Sequence, residues 1–191
     1  MAAFDEISMI LVTGFEPFQK ELINPTQKLI EEIQAWKWPD VKTILLPVSY
    51  LEAPRILRDQ ILSLKPDFVL MLGQAGARSK INLERVALNW QESPEVDERG
   101  YRPPAGAIDQ QAPSAYFSDI DLGSWKQKIE AAEIPAEISF SAGVFVCNRV
   151  YFEFFQTMPR PRGLFVHFPF LPEQARGFSG RASLDWALQI K

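Results

Sequence analysis

The amino-terminal part of the chain alternates between apolar strands and amphipathic helices, and this alternation restricts the possible folds more than any other feature. Continuous apolar runs at 7–12, 43–48 and 68–72 predict three strands, because a strand buried on both faces of a parallel sheet lacks polar alternation. Helices are predicted between them, beginning near Pro25 and Pro54. This order predicts a parallel α/β sheet with helices on both faces.

The start of the first helix carries a capping signal. Asn24 can cap the helix, Pro25 suits its first position, and Gln27 can reach back to the cap as in a capping box. The apolar residues that follow recur at helical spacing: Leu29, Ile30, Ile33 and Trp36. In the second helix, the predicted buried stripe consists of Ile56, Leu57, Ile61, Leu62 and Leu64.

The rest of the chain is less regular. A strand is predicted at 81–89, and the proline-rich connection at 90–119 has no clear period. Connections of this length within a compact domain are usually functional or disordered. Further helices are predicted at 122–132, 147–158 and 183–190, and further strands at 137–140 and 164–168. Functional loops of such a sheet lie at the carboxyl ends of its strands, which here are the loops at 14–18 and 73–78.

Length, charge and cysteine content narrow the class of protein. A chain of 191 residues fits one domain, which we expect to span 1–191. Its net charge of −4 argues against binding to nucleic acid, and no apolar run is long enough to span a membrane. A lone cysteine cannot form an intrachain disulfide, so we expect a cytoplasmic protein.

The chain has one cysteine, Cys147, and one histidine, His167. Cys147 stands where a strand or turn leads into a helix, and a helix start favours the nucleophilic thiolate. A free cysteine is more often a small buried hydrophobe, and a lone histidine is more often structural. His167 nevertheless follows an apolar strand, where a parallel sheet displays catalytic groups. One cysteine and one histidine could supply only two soft ligands, so we expect neither a metal site nor a cofactor.

Two further features admit a structural and a functional interpretation. Glu84 lies in an apolar run beside Arg85, so it could form a salt bridge on an edge strand. It could instead orient a histidine as the third member of a Cys/His/acid set. The glycine-rich loop at 73–78 resembles a phosphate-binding loop, but it lacks the lysine and the serine or threonine of a Walker motif.

Four blocks of the sequence together resemble the pyroglutamyl peptidase I family, which are cysteine peptidases that remove an N-terminal pyroglutamyl residue. The blocks keep the family order and cover nearly the whole chain. They are the opening block at 13–18 (TGFEPF) with 24–26 (NPT), the glutamate block at 73–78 (GQAGAR) with 84–89 (ERVALN), the nucleophile block at 141–148 (SAGVFVCN), and the histidine block at 165–169 (FVHFP) with 172–174 (PEQ).

The resemblance implies a role for each of these blocks. Cys147 would be the nucleophile, His167 the general base and Glu84 the acid that orients it. The pocket for the lactam ring would be walled by Phe15, Phe18, Phe145 and Val146, with Gln74 on the polar edge of the ring. The resemblance also implies a three-layer α/β/α sandwich with a mixed sheet, an intracellular location, pyroglutamyl peptides as substrates and a homo-oligomer, often a tetramer.

The sequence departs from the family pattern at several positions. Gln19 and Lys20 follow the opening block where glycine is common, Ala77 replaces a second glycine, and Pro94 lies near the position of a frequent arginine. The segment at 90–119 is divergent. These departures leave a second hypothesis open, in which the chain binds pyroglutamyl peptides without cleaving them.

Overall fold

The computed structural model describes residues 8–19, 21–76, 78–158, 160, 162–176 and 181–191. Its strands are β1 (Ile10–Phe15), β2 (Val41–Leu46), β3 (Phe68–Gln74), β4 (Ile81–Glu84), β5 (Val86–Leu88), β6 (Ala115–Phe117), β7 (Ala136–Ser139) and β8 (Gly163–Phe168). Its helices are α1 (Pro25–Trp36), α2 (Glu52–Leu64), α3 (Leu122–Ala131), α4 (Val146–Thr157), α5 (Pro172–Ala175) and α6 (Trp186–Gln189).

Six of these strands form one mixed sheet in the order β2-β1-β3-β8-β4-β7. The pairs from β2 to β8 are parallel, and β4 is antiparallel to β8 but parallel to β7. The expected α/β class and the largely parallel mixed sheet are therefore confirmed. The strand order brings together the carboxyl ends of β1, β3 and β8, which are distant in sequence.

Helices cover both faces of this sheet and bury a core against each. One core contains Leu57 of α2 and Val150 of α4, and the other contains Ile30 of α1 and Leu122 of α3. The result is the expected three-layer α/β/α sandwich. Across the described residues, every helix is too short or too polar to cross a membrane.

Several local predictions are wrong in detail. The first strand was predicted at 7–12, but β1 continues to Phe15, and Ile7 lies outside the described residues. The side chain of Gln27 donates to Glu31 instead of forming a capping box, whereas Asn24 caps α1 as expected by accepting from Thr26 N. Leu62 is exposed, so the buried stripe of α2 is narrower than predicted.

The single strand predicted at 81–89 is two strands in different sheets. β4 belongs to the main sheet, whereas β5 pairs with β6 in a separate two-stranded sheet. The break falls at Arg85, whose guanidinium Nη1 donates to the carbonyls of Ser118 and Ile120. Glu84 is therefore the last residue of a strand in the main sheet.

The connection at 90–119 contains one strand that was not predicted, β6, and its remaining part is irregular but held in place. The Asp97 carboxylate accepts the backbone N–H groups of Tyr50, Arg99 and Tyr101. The Tyr50 hydroxyl donates to the carbonyls of Glu92 and Val144. This connection is thereby fixed against the turn that leads into α4.

Candidate active site

Cys147 lies in the first turn of α4, directly after Val146, the first helical residue, with Phe145 as the N-cap. The thiol is packed against the carboxyl end of β3. A Cβ atom placed on Gly73 would lie 3.1 Å from Cys147 Sγ and 2.7 Å from the ring of Phe165. Gly73 is in register with His167 on the neighbouring strand β8. Because Gly73 has no side chain, the Cys147 sulfur can lie against β3, next to the strand β8 that carries His167.

The Cys147 thiol is more strongly protonated than its place at a helix start predicts. Burial, reinforced by the negative charge of Glu84, raises its pKa from about 9 to about 12. The backbone N–H of Cys147 and the charge of Arg78 act in the opposite direction. Without a ligand, the thiolate is therefore a minor species at neutral pH.

His167 and Glu84 form a buried pair. The distance from His167 Nδ1 to Glu84 Oε1 is 2.7 Å, and the two side chains are 4% and 0% exposed. A carboxylate only accepts hydrogen bonds, so Nδ1 carries the proton and Nε2 keeps its lone pair. Burial lowers the pKa of His167 below its usual 6.5, against the opposing influence of Glu84. The imidazole is therefore neutral at neutral pH.

Glu84 has a second side-chain partner, the charged Arg78, which the sequence did not identify. Arg78 Nη1 donates to Glu84 Oε1 at 2.6 Å, and Arg78 Nη2 donates to the carbonyl of Ser141 at 2.9 Å. The salt bridge expected with a neighbouring arginine thus exists, but with Arg78 and not with Arg85. The Glu84 backbone carbonyl also accepts the Tyr151 hydroxyl of α4 at 3.0 Å. Glu84 is consequently held at both its side chain and its backbone.

A small pocket opens beside the thiol. All five residues predicted to contact the lactam ring line it: Phe15, Phe18, Gln74, Phe145 and Val146. Cys147, Asn24 and Val48 complete the lining. The rings of Phe18 and Phe145 are stacked with their centroids 6.4 Å apart. Tyr50 packs edge-on against Phe145 at 5.2 Å. The pocket is therefore mostly apolar and aromatic.

Asn24 and Val48 were not predicted to line this pocket, because their local sequence roles are structural. Asn24 reads as a helix cap, which it is, and Val48 follows a strand. Only the parallel pairing of β1 with β2 brings the loops after both strands to the same side of the thiol. The composition of the two loops alone does not indicate that Asn24 and Val48 would meet in one pocket.

The side chain of Gln74, a polar residue of the pocket, is oriented by Gln174. Gln174 Nε2 donates to Gln74 Oε1 at 3.0 Å and to the carbonyl of Ile23 at 3.1 Å. Gln174 Oε1 in turn accepts the backbone N–H of Leu171 at 3.0 Å. These bonds fix the Gln74 carboxamide so that its N–H group remains the donor for a ligand.

Asn148 connects α4 to the second sheet. Its side chain accepts from Leu88 N at 2.8 Å and donates to the carbonyls of Leu88 and Trp90. The first turn of α4 is thus anchored directly beside Cys147. Among the described residues, no three His, Cys, Asp or Glu side chains converge on a metal-binding position.

Comparison with known sequences gives one consistent family. The sequence model of the pyroglutamyl peptidases (Peptidase_C15) matches residues 8–190. Pyrrolidone-carboxylate peptidase 1 of Ralstonia nicotianae is 37% identical over 181 residues, which cover 92% of this chain and 84% of the relative. Pyrrolidone-carboxylate peptidase of Gloeobacter violaceus is 36% identical over 187 residues, which cover 95% of this chain and 91% of the relative.

Solved structures agree with the sequence relatives. Pyroglutamyl peptidase I from Bacillus amyloliquefaciens superposes with a TM-score of 0.88 at 30% identity, covering 96% of this chain and 90% of that one. The pyrrolidone carboxyl peptidase of Fervidobacterium islandicum superposes with a TM-score of 0.88 at 33% identity, covering 95% of this chain and 92% of that one. With its sandwich fold, single thiol and aromatic pocket, this chain belongs to the pyroglutamyl peptidase family of cysteine peptidases.

Proposed function

We propose that this protein hydrolyses the bond after an N-terminal pyroglutamyl residue, with Cys147 as nucleophile, His167 as general base and Glu84 as the residue that orients His167. The observation that carries the proposal is the buried Glu84–His167 hydrogen bond, which fixes a neutral imidazole on the strand next to the thiol. Family membership supports the substrate class.

The pocket suits a pyroglutamyl ring, which is compact, neutral and flat. Aromatic rings that hold a flat ring between them stand about 7 Å apart, twice a carbon contact distance of about 3.5 Å. The centroids of Phe18 and Phe145 are 6.4 Å apart and the ring planes are inclined by 29°, so these two rings must separate further to hold the substrate ring between them. The Gln74 N–H group is then available for the lactam carbonyl, and the remaining walls exclude water.

The first chemical step moves one proton and forms one bond. Because the pKa of Cys147 is raised and that of His167 is lowered, the resting pair is a thiol and a neutral imidazole. His167 Nε2 takes the thiol proton as Sγ bonds to the carbonyl carbon of the pyroglutamyl group. The imidazolium that forms is stabilised by the Glu84 carboxylate through Nδ1.

The carbonyl oxygen becomes an oxyanion in this step. The backbone N–H of Cys147 lies in the first helical turn of α4, where N–H groups have no acceptor within the helix. It is the donor best placed to stabilise this charge. When the intermediate collapses, the C–N bond breaks and the leaving amine takes the proton from His167 Nε2. A thioester on Cys147 remains.

Water completes the cycle. His167 Nε2 takes a proton from a water molecule as the water oxygen bonds to the thioester carbonyl carbon. The C–S bond then breaks, pyroglutamate is released, and the sulfur recovers the proton from the imidazolium. The proposed residues thus suffice for both half-reactions in balanced steps.

Two fluorogenic coumarin amides test the substrate class. We expect the purified protein to release coumarin from pyroglutamyl-aminomethylcoumarin and to leave prolyl-aminomethylcoumarin uncut, because the prolyl ring carries a charged amine and lacks the lactam carbonyl. Release from both substrates at similar kcat/KM would contradict the assigned ring recognition. Binding of a pyroglutamyl peptide without release would instead establish the non-catalytic binding domain.

A further inference from the structure

Arg78 is the cation of the site, and neither the sequence motifs nor the steps above give it a task. It lies between β3 and β4, and its side chain is 25% exposed. Its guanidinium donates to Glu84 Oε1, to Asn82 Oδ1 and to the carbonyl of Ser141. One side chain therefore contacts the residue that holds His167 and the backbone six residues before Cys147.

We propose that Arg78 is a positioning residue for the proposed reaction: it fixes the Glu84 carboxylate on His167 and ties this pair to the segment that carries the nucleophile. This inference rests on the proposed function, since it assigns Arg78 a part in the same site. Arg78 acts through Glu84 and Ser141 and has no described contact with the reacting atoms.

The geometry of the contacts explains why an arginine suits this position. Glu84 Oε1 accepts from both Arg78 Nη1 and His167 Nδ1, whereas Oε2 is buried with no partner among the described residues. Without Arg78, Glu84 could rotate and present either oxygen to the histidine. A planar guanidinium holds acceptors in two directions at once, which the single ammonium of a lysine cannot reproduce.

The contact to Ser141 links two elements that are far apart in sequence. Ser141 belongs to the turn between β7 and α4, and its carbonyl accepts from Arg78 Nη2 and from the Ser139 hydroxyl at 3.2 Å. A shift of this turn would move both the first turn of α4 and the Glu84–His167 pair. Arg78 thereby adds a side-chain link between the Glu84–His167 pair and the turn before α4, beside the Tyr151 contact from α4 to the Glu84 carbonyl.

Arg78 also balances the charge of Glu84. The positive charge lowers the pKa of both Cys147 and His167. For both residues, Glu84 is the opposing charged group, and it raises both pKa values. Loss of Arg78 would therefore leave Glu84 unopposed, so that both pKa values rise.

The single histidine provides a readout of this effect that does not need turnover. We would label the protein with 15N-histidine and titrate His167 by NMR in the wild type, Arg78→Gln and Arg78→Lys. Arg85→Gln is the matched control, because Arg85 adjoins Glu84 in sequence but donates to the backbone carbonyls of Ser118 and Ile120. The same four proteins are assayed with the pyroglutamyl reporter, and their folding is checked by thermal melting.

We expect Arg78→Gln to raise the pKa of His167 and to lower kcat on the order of 10²-fold, as for a misplaced catalytic group, with a smaller change in KM. Arg78→Lys keeps the charge, so its His167 titration should stay near the wild type while kcat falls roughly tenfold. Arg85→Gln should leave both the titration and kcat unchanged.

The proposal is overturned if folded Arg78→Gln titrates and turns over like Arg85→Gln. If Arg78→Gln does not fold, wild-type kcat in Arg78→Lys overturns the positioning role. A wild type that releases no coumarin refutes the proposed function instead. In that case the NMR titration still decides whether Arg78 fixes the Glu84–His167 pair.

Discussion

At Cys147, two local influences on the thiol oppose each other. The sequence predicts a helix start, which favours the thiolate, and the structure has the residue in the first turn of α4. Burial and the charge of Glu84 nevertheless outweigh the helix and raise the pKa to about 12. Local sequence shows where a residue stands in a helix but not how deeply it is buried, so the direction of this shift was not predictable.

The single cysteine makes this shift measurable by alkylation. Because only the thiolate reacts, the rate with iodoacetamide should be low at about pH 7 and still rising at about pH 10, since the pKa lies above both. The same protein unfolded in denaturant should show its half-maximal rate near the ordinary thiol pKa of about 8.5 and serve as the reference. A half-maximal rate of the folded protein at a lower pH than that of the unfolded protein would contradict the predicted direction.

The residue pattern suggested Cys147, His167 and Glu84 as candidates, and the resemblance to the family added the five pocket residues. The structure places these five around one pocket with Cys147, and it pairs Glu84 with His167 across the neighbouring strands β4 and β8. Arg78 was missed although it lies in the glutamate block, because its task depends on Glu84 and Ser141, which reach it only through the fold. A sequence motif indicates residues that can react chemically. It gives less indication of residues whose task is to hold those groups in position.

At the scale of elements, the alternating apolar pattern predicted the strands and helices of the amino-terminal part. It failed at 81–89, where the apolar run continues across Arg85 without a turn residue while the chain passes from one sheet to another. Periodicity reports that a strand is buried but not which strand it pairs with. The pairing of β4 with β8, which positions Glu84, was therefore beyond a prediction from local sequence.

The close contact of β3, β8 and α4 makes Gly73 the critical small residue. We expect Gly73→Ala to lower the free energy of unfolding by about 1–3 kcal/mol, a typical cost of overpacking. The reason is that the added methyl group would lie 2.7 Å from Phe165 and 3.1 Å from Cys147 Sγ. Displacement of the sulfur should also reduce kcat. Chemical denaturation and the reporter assay measure the two effects.

Gly106→Ala is the matched control, because a methyl group there would meet no described atom within 4 Å. It should leave both stability and kcat close to the wild type. Equal effects of the two substitutions would show that the contact with Phe165 and Cys147 does not limit this position.

At the scale of the whole molecule, the sheet order explains how a short chain assembles the site. β1, β3 and β8 contribute the pocket and the histidine from strands that are neighbours in space but separated by much of the sequence. The connection at 90–119 is fixed against Tyr50 and Val144 through Glu92, and Tyr50 in turn packs against Phe145. Of the departures from the family pattern, Lys20 and Ala77 lie outside the described residues.

The most direct test of the account compares wild type and Cys147→Ser on pyroglutamyl-aminomethylcoumarin. A serine hydroxyl is a far weaker nucleophile than a thiol, so kcat should fall by at least about 10³-fold while the melting temperature stays close to the wild type. Free pyroglutamate should still bind the variant, because the pocket is intact. Substantial release by folded Cys147→Ser would contradict the assignment of Cys147 as the nucleophile.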